Sequence, residues 1–454
     1  MTEEKKIFIA VLITSFMGPF MGSSFNIAIP TMATEFGVPA QDLSWVVTAY
    51  LLGSVALLVP FGRLADILGR RKLYVIGSFI VGLMTLLAGL TQTVLSLTIF
   101  RLLQGLSLAA IFSTSMAMLV ASHKPSERGK VIGYSAAATY IGLSLGPILG
   151  GLITQYLGWR LIFFLSAAAN VISAFIALRV KGEWYGDRTG GMDYKGCALY
   201  TAASMMILYG LSAYASHPLM RYVFFGGVLL LLAFVYEQLH AKAPLIDVSL
   251  FKSTIFAMSN LAALLNYSAT FAISFLLSLY LQLIRGFDAS TAGLFMLLQP
   301  MMMALLSPLA GTLSDRHEPR LVASAGMAMT TLGIFAFSFL TADTSMVLVG
   351  AIFIFIGIGF AFFSSPNSNA IMGAVEPRFY GVASSMLSVM RISGQAASMS
   401  VVTMLLAVYT ASTVASSPSA AYLSDLLQAI RNIFGILSVN CAVGIAASLA
   451  RGKR

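Results

Sequence analysis

The stretch Gly62–Lys72 reads GRLADILGRRK and lies between two apolar runs, residues 43–61 and 73–91. Each flanking run approaches the roughly 20 apolar residues that a helix needs to cross a bilayer. The stretch itself holds four basic residues and one acid, and its glycines allow a tight turn between closely packed helices. We therefore predict a short cytoplasmic loop that joins two membrane-spanning helices.

The composition of the whole chain agrees with this interpretation. Of its 454 residues, 58% are hydrophobic and 10% are charged, and the mean hydropathy is +0.88. A soluble domain carries about 25% charged residues, so no soluble fold of this length could bury so much apolar surface. A cytosolic enzyme, a nucleic-acid-binding protein and a disordered chain are excluded, which leaves an all-α integral membrane protein.

Fourteen apolar runs are long enough to cross the membrane. They are approximately residues 7–29, 43–61, 73–91, 95–120, 131–156, 161–179, 196–215, 220–240, 254–282, 290–312, 320–341, 346–371, 380–409 and 427–450. The connectors between them are short, so we expect no extramembrane domain.

The distribution of lysine and arginine tests this count and sets the orientation. With a cytoplasmic N-terminus, 21 of the 27 basic residues fall in cytoplasmic segments, three fall outside and three lie within spans. This is the asymmetry that the positive-inside rule requires. We therefore expect a multi-pass protein of the cytoplasmic membrane with both termini in the cytoplasm.

Two pairs of similar segments suggest an internal repeat. The GRLAD of Gly62–Asp66 returns as GTLSD at Gly311–Asp315, and the Pro125–Gly129 pattern returns loosely at Pro377–Gly381. Two matches in the same order indicate two homologous six-helix halves, an arrangement that suits a transporter. The predicted division is residues 1–181 for one half, 182–252 for a linker with two inserted helices, and 253–454 for the other half.

Spans 4 and 5 carry the residues most unusual for a membrane interior. Arg101 and Gln104 lie three apart in span 4 and so share a helix face. A charge within a span costs about 2.5–3.5 kcal/mol on insertion scales and marks a functional site by default, although Arg101 could also reach the interface. In span 5, glycines recur every fourth residue through Gly142–Gly151, a pattern that lets helix backbones touch, and Pro147 should kink the helix.

These segments together resemble the major facilitator superfamily, and more narrowly its fourteen-span drug:proton antiporter branch. The resemblance rests on Gly62–Lys72, Arg101–Gly105, Gly142–Gly151, Trp45–Leu52 and Pro244–Asp247. It implies a fold of fourteen transmembrane helices, as two six-helix pseudo-repeats plus a two-helix insert. It also implies conformational roles for Gly62, Asp66, Gly69, Arg70, Gly142, Gly146, Pro147, Gly150 and Asp315.

By the same resemblance, spans 1, 4, 9 and 12 would line a central cavity. The candidates for substrate binding or ion coupling are Arg101, Gln104, Asn26, Asp42, Asn266, Tyr267, Asn367, Asn369 and Arg391. For any single polar residue, a hydrogen bond between helices is the alternative role, worth about 0.6 kcal/mol on average.

One position departs from the branch pattern. Members often carry an aspartate in span 1, five residues before Asn26, and here that residue is Met21. Every acid in this sequence lies in a loop or near the end of a span. We therefore expect a neutral, anionic or zwitterionic substrate rather than a simple cation. Proton coupling would need another carboxylate, and Asp42 at the outer mouth of span 2 is the nearest one in the first half.

The sequence thus predicts a secondary active transporter that exports small lipophilic or amphipathic compounds in exchange for protons. The alternative is an importer or facilitator of an organic solute or lipid-like molecule without proton antiport. An enzyme is not expected, since no histidine or acid lies at depth to form a catalytic or metal site, and no ATP-binding loop is present. We expect no cofactor, metal or nucleic acid, and the resemblance favours a monomer in the bilayer.

Overall fold

The structure is a computed structural model that describes residues 2–123, 128–186, 191–214, 217–241, 244–246, 248–316, 318–375, 380–410 and 419–452. Within these ranges the regular structure is entirely helical. The α-helices are α1 (Glu3–Phe36), α2 (Ser44–Ala56), α3 (Leu58–Leu68), α4 (Arg70–Gly89), α5 (Val94–Ser122), α6 (Arg128–Tyr156), α7 (Arg160–Leu178), α8 (Tyr194–Ser212), α9 (Pro218–His240), α10 (Thr254–Thr270), α11 (Ile273–Leu279), α12 (Ala289–Arg316), α13 (Pro319–Phe337), α14 (Met346–Gly373), α15 (Tyr380–Thr410) and α16 (Ala420–Leu449).

An all-helical membrane fold is therefore confirmed, whereas the exact number of spans is not. Twelve helices of the described chain are long and apolar enough to cross a membrane, and α2 with α3 raises the number to thirteen if this bent pair forms one span. The remaining candidate is α8, which contains three tyrosines and a lysine. The count of fourteen remains a prediction.

The chain forms two compact units. Unit 1 contains residues Met1–Gly22, Trp45–Leu143 and Tyr156–Asp247, and unit 2 contains Ser23–Ser44, Ser144–Gln155 and Val248–Arg454. The C-terminal end of α1 and the last turns of α6 thus pack with the C-terminal part of the chain. The predicted division at residues 181 and 252 remains a prediction.

The core of unit 1 is organised around the buried Tyr74 of α4. Its hydroxyl donates to the carbonyl of Ala10 at 2.9 Å and shares hydrogen bonds with the hydroxyls of Thr14 at 3.0 Å and Ser173 at 2.7 Å. These partners lie on α1 and α7. A buried phenol needs such partners within the protein, and these hydrogen bonds hold three helices together.

The break between α2 and α3 follows from the sequence, and α8 completes its hydrogen bonding. The two helices meet at 43°. Pro60 has no N–H, so the carbonyl of Ala56 four residues earlier loses its helical donor. The Thr201 hydroxyl of α8 donates to this carbonyl at 2.9 Å, and the Tyr200 hydroxyl donates to the preceding Val55 carbonyl at 3.1 Å.

Replacing Thr201 with valine should therefore destabilise unit 1. The substitution keeps the shape of the side chain and leaves the Ala56 carbonyl without its donor, a loss of about 1 kcal/mol. We expect the apparent Tm of the detergent-solubilised protein to fall by roughly 1–3 °C. Thr201→Ser retains the hydroxyl and should match the wild type, and an unchanged Tm in Thr201→Val would contradict the assignment.

Candidate functional site

Arg101 lies in the interior of unit 1, where two glycines bring α2 and α5 into close contact. A Cβ at Gly105 would collide with the Tyr50 carbonyl, and one at Gly53 would lie 2.8 Å from the Leu106 nitrogen. Arg101 is 2% exposed, and its guanidinium carbon lies 4.0 Å from the centre of the Tyr50 ring. The helix contact thus places a cation over an aromatic face, an electrostatically favourable arrangement.

Gln104 connects Arg101 to α4. The Arg101 Nη1 donates to Gln104 Oε1 at 2.8 Å, and Gln104 Nε2 donates to Thr85 Oγ1 at 2.6 Å. Since the Thr85 hydroxyl itself donates to the Val81 carbonyl at 2.6 Å, it can serve Gln104 only as an acceptor. These hydrogen bonds orient the Gln104 amide with its oxygen towards Arg101. The neutral Thr85 of α4 therefore orients the charged Arg101 of α5 through Gln104.

Met21 completes this group from α1. Its sulfur lies 3.4 Å from Gln104 Nε2 and accepts a weak hydrogen bond from it. The position at which the antiporter branch often has an aspartate therefore faces the arginine–glutamine pair. We call Met21, Thr85, Arg101 and Gln104, together with Tyr50, the Arg101 network.

Other predicted cavity residues lie in unit 2, where α10 and α14 meet. Asn266 is fully buried, and neither polar atom of its side-chain amide has a hydrogen-bond partner among the described residues. Asn367 is 1% exposed and donates from Nδ2 to the Ser259 carbonyl at 3.2 Å. The rings of Tyr267 and Phe360 contact each other at 5.5 Å. Buried amides with unfilled hydrogen-bonding capacity require an explanation, and a polar ligand or water would supply one.

The remaining predicted candidates make other contacts. Asn369 donates to the Ser314 hydroxyl at 2.9 Å, near the end of α12. Arg391 is half-buried in α15 and makes no hydrogen bond within the described part of the chain. Asn26 is buried in α1, and its side-chain oxygen has no hydrogen-bond partner within the described part of the chain.

Asp42 lies in a short 3₁₀ turn, Ala40–Leu43, just before α2. Its partial removal from water raises the pKa of its carboxyl above the usual value. The buried Tyr422 at the start of α16 is within electrostatic range. Across the described residues, no three histidine, cysteine or acidic side chains come together as metal ligands would.

The stretch Gly62–Lys72, predicted to be a loop, is mostly helical, because α3 continues to Leu68 and α4 begins at Arg70. The turn is confined to Gly69, and two acids stabilise it. Arg70 and Asp66 form an ion pair at 2.9 Å, and Gly69 adopts a φ of 109°, a conformation that favours glycine. Glu183 accepts from the backbone N–H groups of Arg71 at 2.8 Å and Lys72 at 3.2 Å. This carboxylate therefore caps the start of α4, where negative charge is stabilising.

Sequence reasoning missed Glu183. It lies in the polar connector after span 6, more than a hundred residues from its partners, and no local pattern marks it. The neighbouring backbone also contributes, because Trp184 accepts from the N–H of Arg70 at 2.9 Å and Gly186 donates to the carbonyl of Asp66 at 3.1 Å.

The glycine pattern of α6 lies against α1. A Cβ at Gly142 would collide with the carbonyl of Phe16 in unit 1, and one at Gly150 would lie 2.6 Å from the Cβ of Ser24 in unit 2. The Ser24 hydroxyl also donates to the Gly146 carbonyl at 2.9 Å. The helix continues through Pro147 to Tyr156.

For two other residues with expected conformational roles, Gly62 and Asp315, the structure shows no contact that supports the role. A Cβ at Gly62 would meet nothing within 4 Å, so packing does not require glycine there. The side chain of Asp315, at the second copy of the motif, lies outside the described part of the structure.

Comparison with known proteins decides the family. The model of the Major Facilitator Superfamily matches residues 11–399 of this chain. The chain belongs to the major facilitator superfamily. It is therefore a multi-pass membrane transporter, as the resemblance in its motifs predicts.

Its relatives include proteins with different printed functions. The riboflavin transporter RibZ of Clostridioides difficile is 29% identical over 86% of both chains. The cephamycin export protein CmcT of Amycolatopsis lactamdurans is 30% identical over 84% of this chain and 80% of its own. The multidrug resistance protein Stp of Mycobacterium tuberculosis (strain CDC 1551 / Oshkosh) is 30% identical over 86% of this chain and 73% of its own.

Among solved structures, a bacterial homologue of the human lysosomal transporter Spinster superposes with a TM-score of 0.71. It is 14% identical, and the match covers 99% of this chain and 97% of that chain. At this identity the similarity establishes the transporter fold and no more.

The order of hydrogen bonds in the Arg101 network makes Thr85 a positioning residue. Thr85→Val removes the acceptor for the Gln104 amide and leaves a buried N–H unsatisfied, which costs about 1–3 kcal/mol. We expect a lower apparent Tm in Thr85→Val and wild-type behaviour in Thr85→Ser.

A double-mutant comparison isolates the contact. In a Gln104→Leu background the amide is absent, so Thr85→Val should have little further effect. Equal losses in the two backgrounds would show that Thr85 acts independently of Gln104.

Proposed function

We propose that this transporter exports small lipophilic or amphipathic organic compounds, driven by the proton gradient and working by alternating access. The observation that supports it most is the Arg101 network, a buried and oriented cation within a helix that crosses the membrane. Such a group is costly in a bilayer and marks a substrate or ion pathway by default. We place the protein in the cytoplasmic membrane as a monomer, with both termini in the cytoplasm.

The direction of transport is supported by the family resemblance and the relatives. The glycine and proline segment of α6 resembles the motif associated with antiporters, and its close packing on α1 suits a span that moves as a gate. Two of the compared relatives are named for cephamycin export and for multidrug resistance. Export of organic compounds is the function that these observations share.

The charges of the Arg101 network suggest the class of substrate. Arg101 brings a positive charge to this site, and Met21 brings a thioether where the branch often has a carboxylate. A lipophilic cation would meet repulsion here, whereas a neutral, zwitterionic or anionic compound would not. The half-buried Arg391 of α15 adds a second cation within a membrane-spanning helix.

A second candidate is the uptake or facilitated passage of an organic solute without proton antiport. It is favoured by the similarity to a riboflavin transporter over 86% of both chains. The unpartnered amide of the buried Asn266 would also suit a substrate rich in hydrogen-bonding groups.

The first test is accumulation of lipophilic cations, neutral compounds and anions in efflux-deficient cells that express the protein. Riboflavin is included, and each compound is measured with and without a protonophore. We expect the wild type to lower accumulation of neutral or anionic compounds, an effect that the protonophore abolishes and that Arg101→Ala lacks. Expression and monodispersity of Arg101→Ala serve as its control.

The outcome separates the two candidates. Protein-dependent accumulation of riboflavin, insensitive to the protonophore, would support the second function and contradict the first. Export of cations as strongly as anions would contradict the argument from the Arg101 network while leaving export itself in place.

Asp42 is our proposed carrier of the coupled proton. Its raised pKa lets the carboxyl hold a proton closer to neutral pH than an ordinary aspartate can. Asp42→Asn should abolish substrate-driven proton flux into proteoliposomes, measured with an internal pH dye. Asp343→Asn changes an exposed loop acid and should leave the flux unchanged; normal flux in Asp42→Asn would eliminate Asp42 from the mechanism.

A further inference from the structure

Pro30 creates an unusual acceptor inside α1. The helix runs from Glu3 to Phe36 without interruption, but a proline has no N–H to donate to the carbonyl four residues earlier. That carbonyl belongs to Asn26, which is 4% exposed. An unpaired backbone carbonyl is costly in a membrane, so another part of the chain must supply the missing donor.

Two side chains from the span that begins with α10 satisfy this part of α1. The Ser278 hydroxyl donates to the Asn26 carbonyl at 2.6 Å. Gln282 Nε2 lies 3.0 Å from the Ile27 carbonyl and 3.0 Å from the Ser278 hydroxyl. Ser278 thus accepts from Gln282 while it donates to Asn26, and all four residues belong to unit 2.

The irregular shape of that span presents these two side chains. It is interrupted between α10 and α11, where the N–H of Ala272 donates to the Ser398 hydroxyl at 3.2 Å. After α11 the chain widens into a π-helical turn, Tyr280–Ile284, which contains Gln282. Such turns are frequent at functional sites, and here the turn begins two residues after Ser278.

A second close contact joins α6 to α12, the helix that follows the π-helical turn. A Cβ at Gly151 of α6 would lie 2.5 Å from the Ala289 carbonyl of α12, and a Cβ at Gly293 would collide with the Pro147 carbonyl. Spans 1 and 5 thus contact spans 9 and 10, which the internal repeat assigns to different halves. By the predicted topology, all these ends lie on the outer side of the membrane.

We propose that the Asn26 carbonyl, freed by Pro30, is the acceptor of a latch whose donors are Ser278 and Gln282. The latch holds the outer side closed and breaks once in each transport cycle, an assignment that rests on the alternating access proposed above. Ser278 and Gln282 are positioning residues: they contact backbone rather than substrate and act by setting the population of the closed state.

The latch is tested by distance measurements between spin labels in lipid nanodiscs. Labels are placed at Leu157→Cys and Asp343→Cys, in two connectors predicted to lie outside, after Cys197 and Cys441 are changed to alanine. Ser278→Ala should shift the distribution towards longer distances and raise the ratio of open to closed molecules about fivefold, the effect of one neutral hydrogen bond. Gln282→Ala should act in the same direction.

Pro30→Ala provides the decisive background. An alanine at position 30 restores the helical donor to the Asn26 carbonyl, so adding Ser278→Ala should then shift the ratio by less than about twofold. Ser274→Ala, in the same helix, is the matched control and should leave the distances as in the wild type. Equal shifts from Ser278→Ala in both backgrounds, or no shift in either, would overturn the latch.

These distances are recorded without substrate or a proton gradient. They therefore report on the latch even if the accumulation assay shows no export. Unchanged distances together with normal export would overturn the latch alone. Shifted distances together with no export would support the latch and contradict the proposed export.

Discussion

Prolines in membrane helices impose the constraint on which much of this structure depends, because each one leaves a carbonyl that lipid cannot satisfy. Two such carbonyls accept a hydrogen bond from a hydroxyl of a neighbouring helix, Asn26 from Ser278 at 2.6 Å and Ala56 from Thr201 at 2.9 Å. A third, that of Ser15, lies 3.3 Å from the Thr139 hydroxyl, which is nearer, at 3.1 Å, to the Ser135 carbonyl of its own helix. In each pair the proline follows the acceptor by four residues. Irregular backbone thus specifies which helices pack together.

The same requirement explains how a charge is held in unit 1. Arg101 contacts the oxygen of Gln104 and the face of Tyr50, and the orientation of Gln104 depends in turn on Thr85. Gln104 and Tyr50 are both neutral, so they orient the guanidinium by hydrogen bonding and by contact with an aromatic face. A fixed cation surrounded by hydrogen-bonding and aromatic groups is suited to recognise electronegative parts of a substrate.

The sequence predicted the helical membrane fold well because hydropathy, loop charge and glycine spacing are local signals. It also predicted that Arg101 and Gln104 share a face and that the α6 glycines let helices approach. It did not predict Glu183, Thr85 or Ser278, since each acts on a partner in a distant segment. An alignment of motifs cannot find such residues, because a serine or threonine that satisfies a carbonyl of another helix has no distinctive local pattern.

In the proposed latch, the strength of the contact sets how much free energy substrate binding must contribute to opening. Ser278 and Gln282 form neutral hydrogen bonds to α1, each worth about 1 kcal/mol net. A ligand can shift a conformational equilibrium only by its difference in affinity for the two states, and coupling of about 1–3 kcal/mol is typical. A latch of neutral bonds lies within that range, whereas a buried ion pair at the same place would cost about 3–5 kcal/mol to break. For the export of lipophilic or amphipathic compounds proposed above, a neutral contact is one that substrate binding can open.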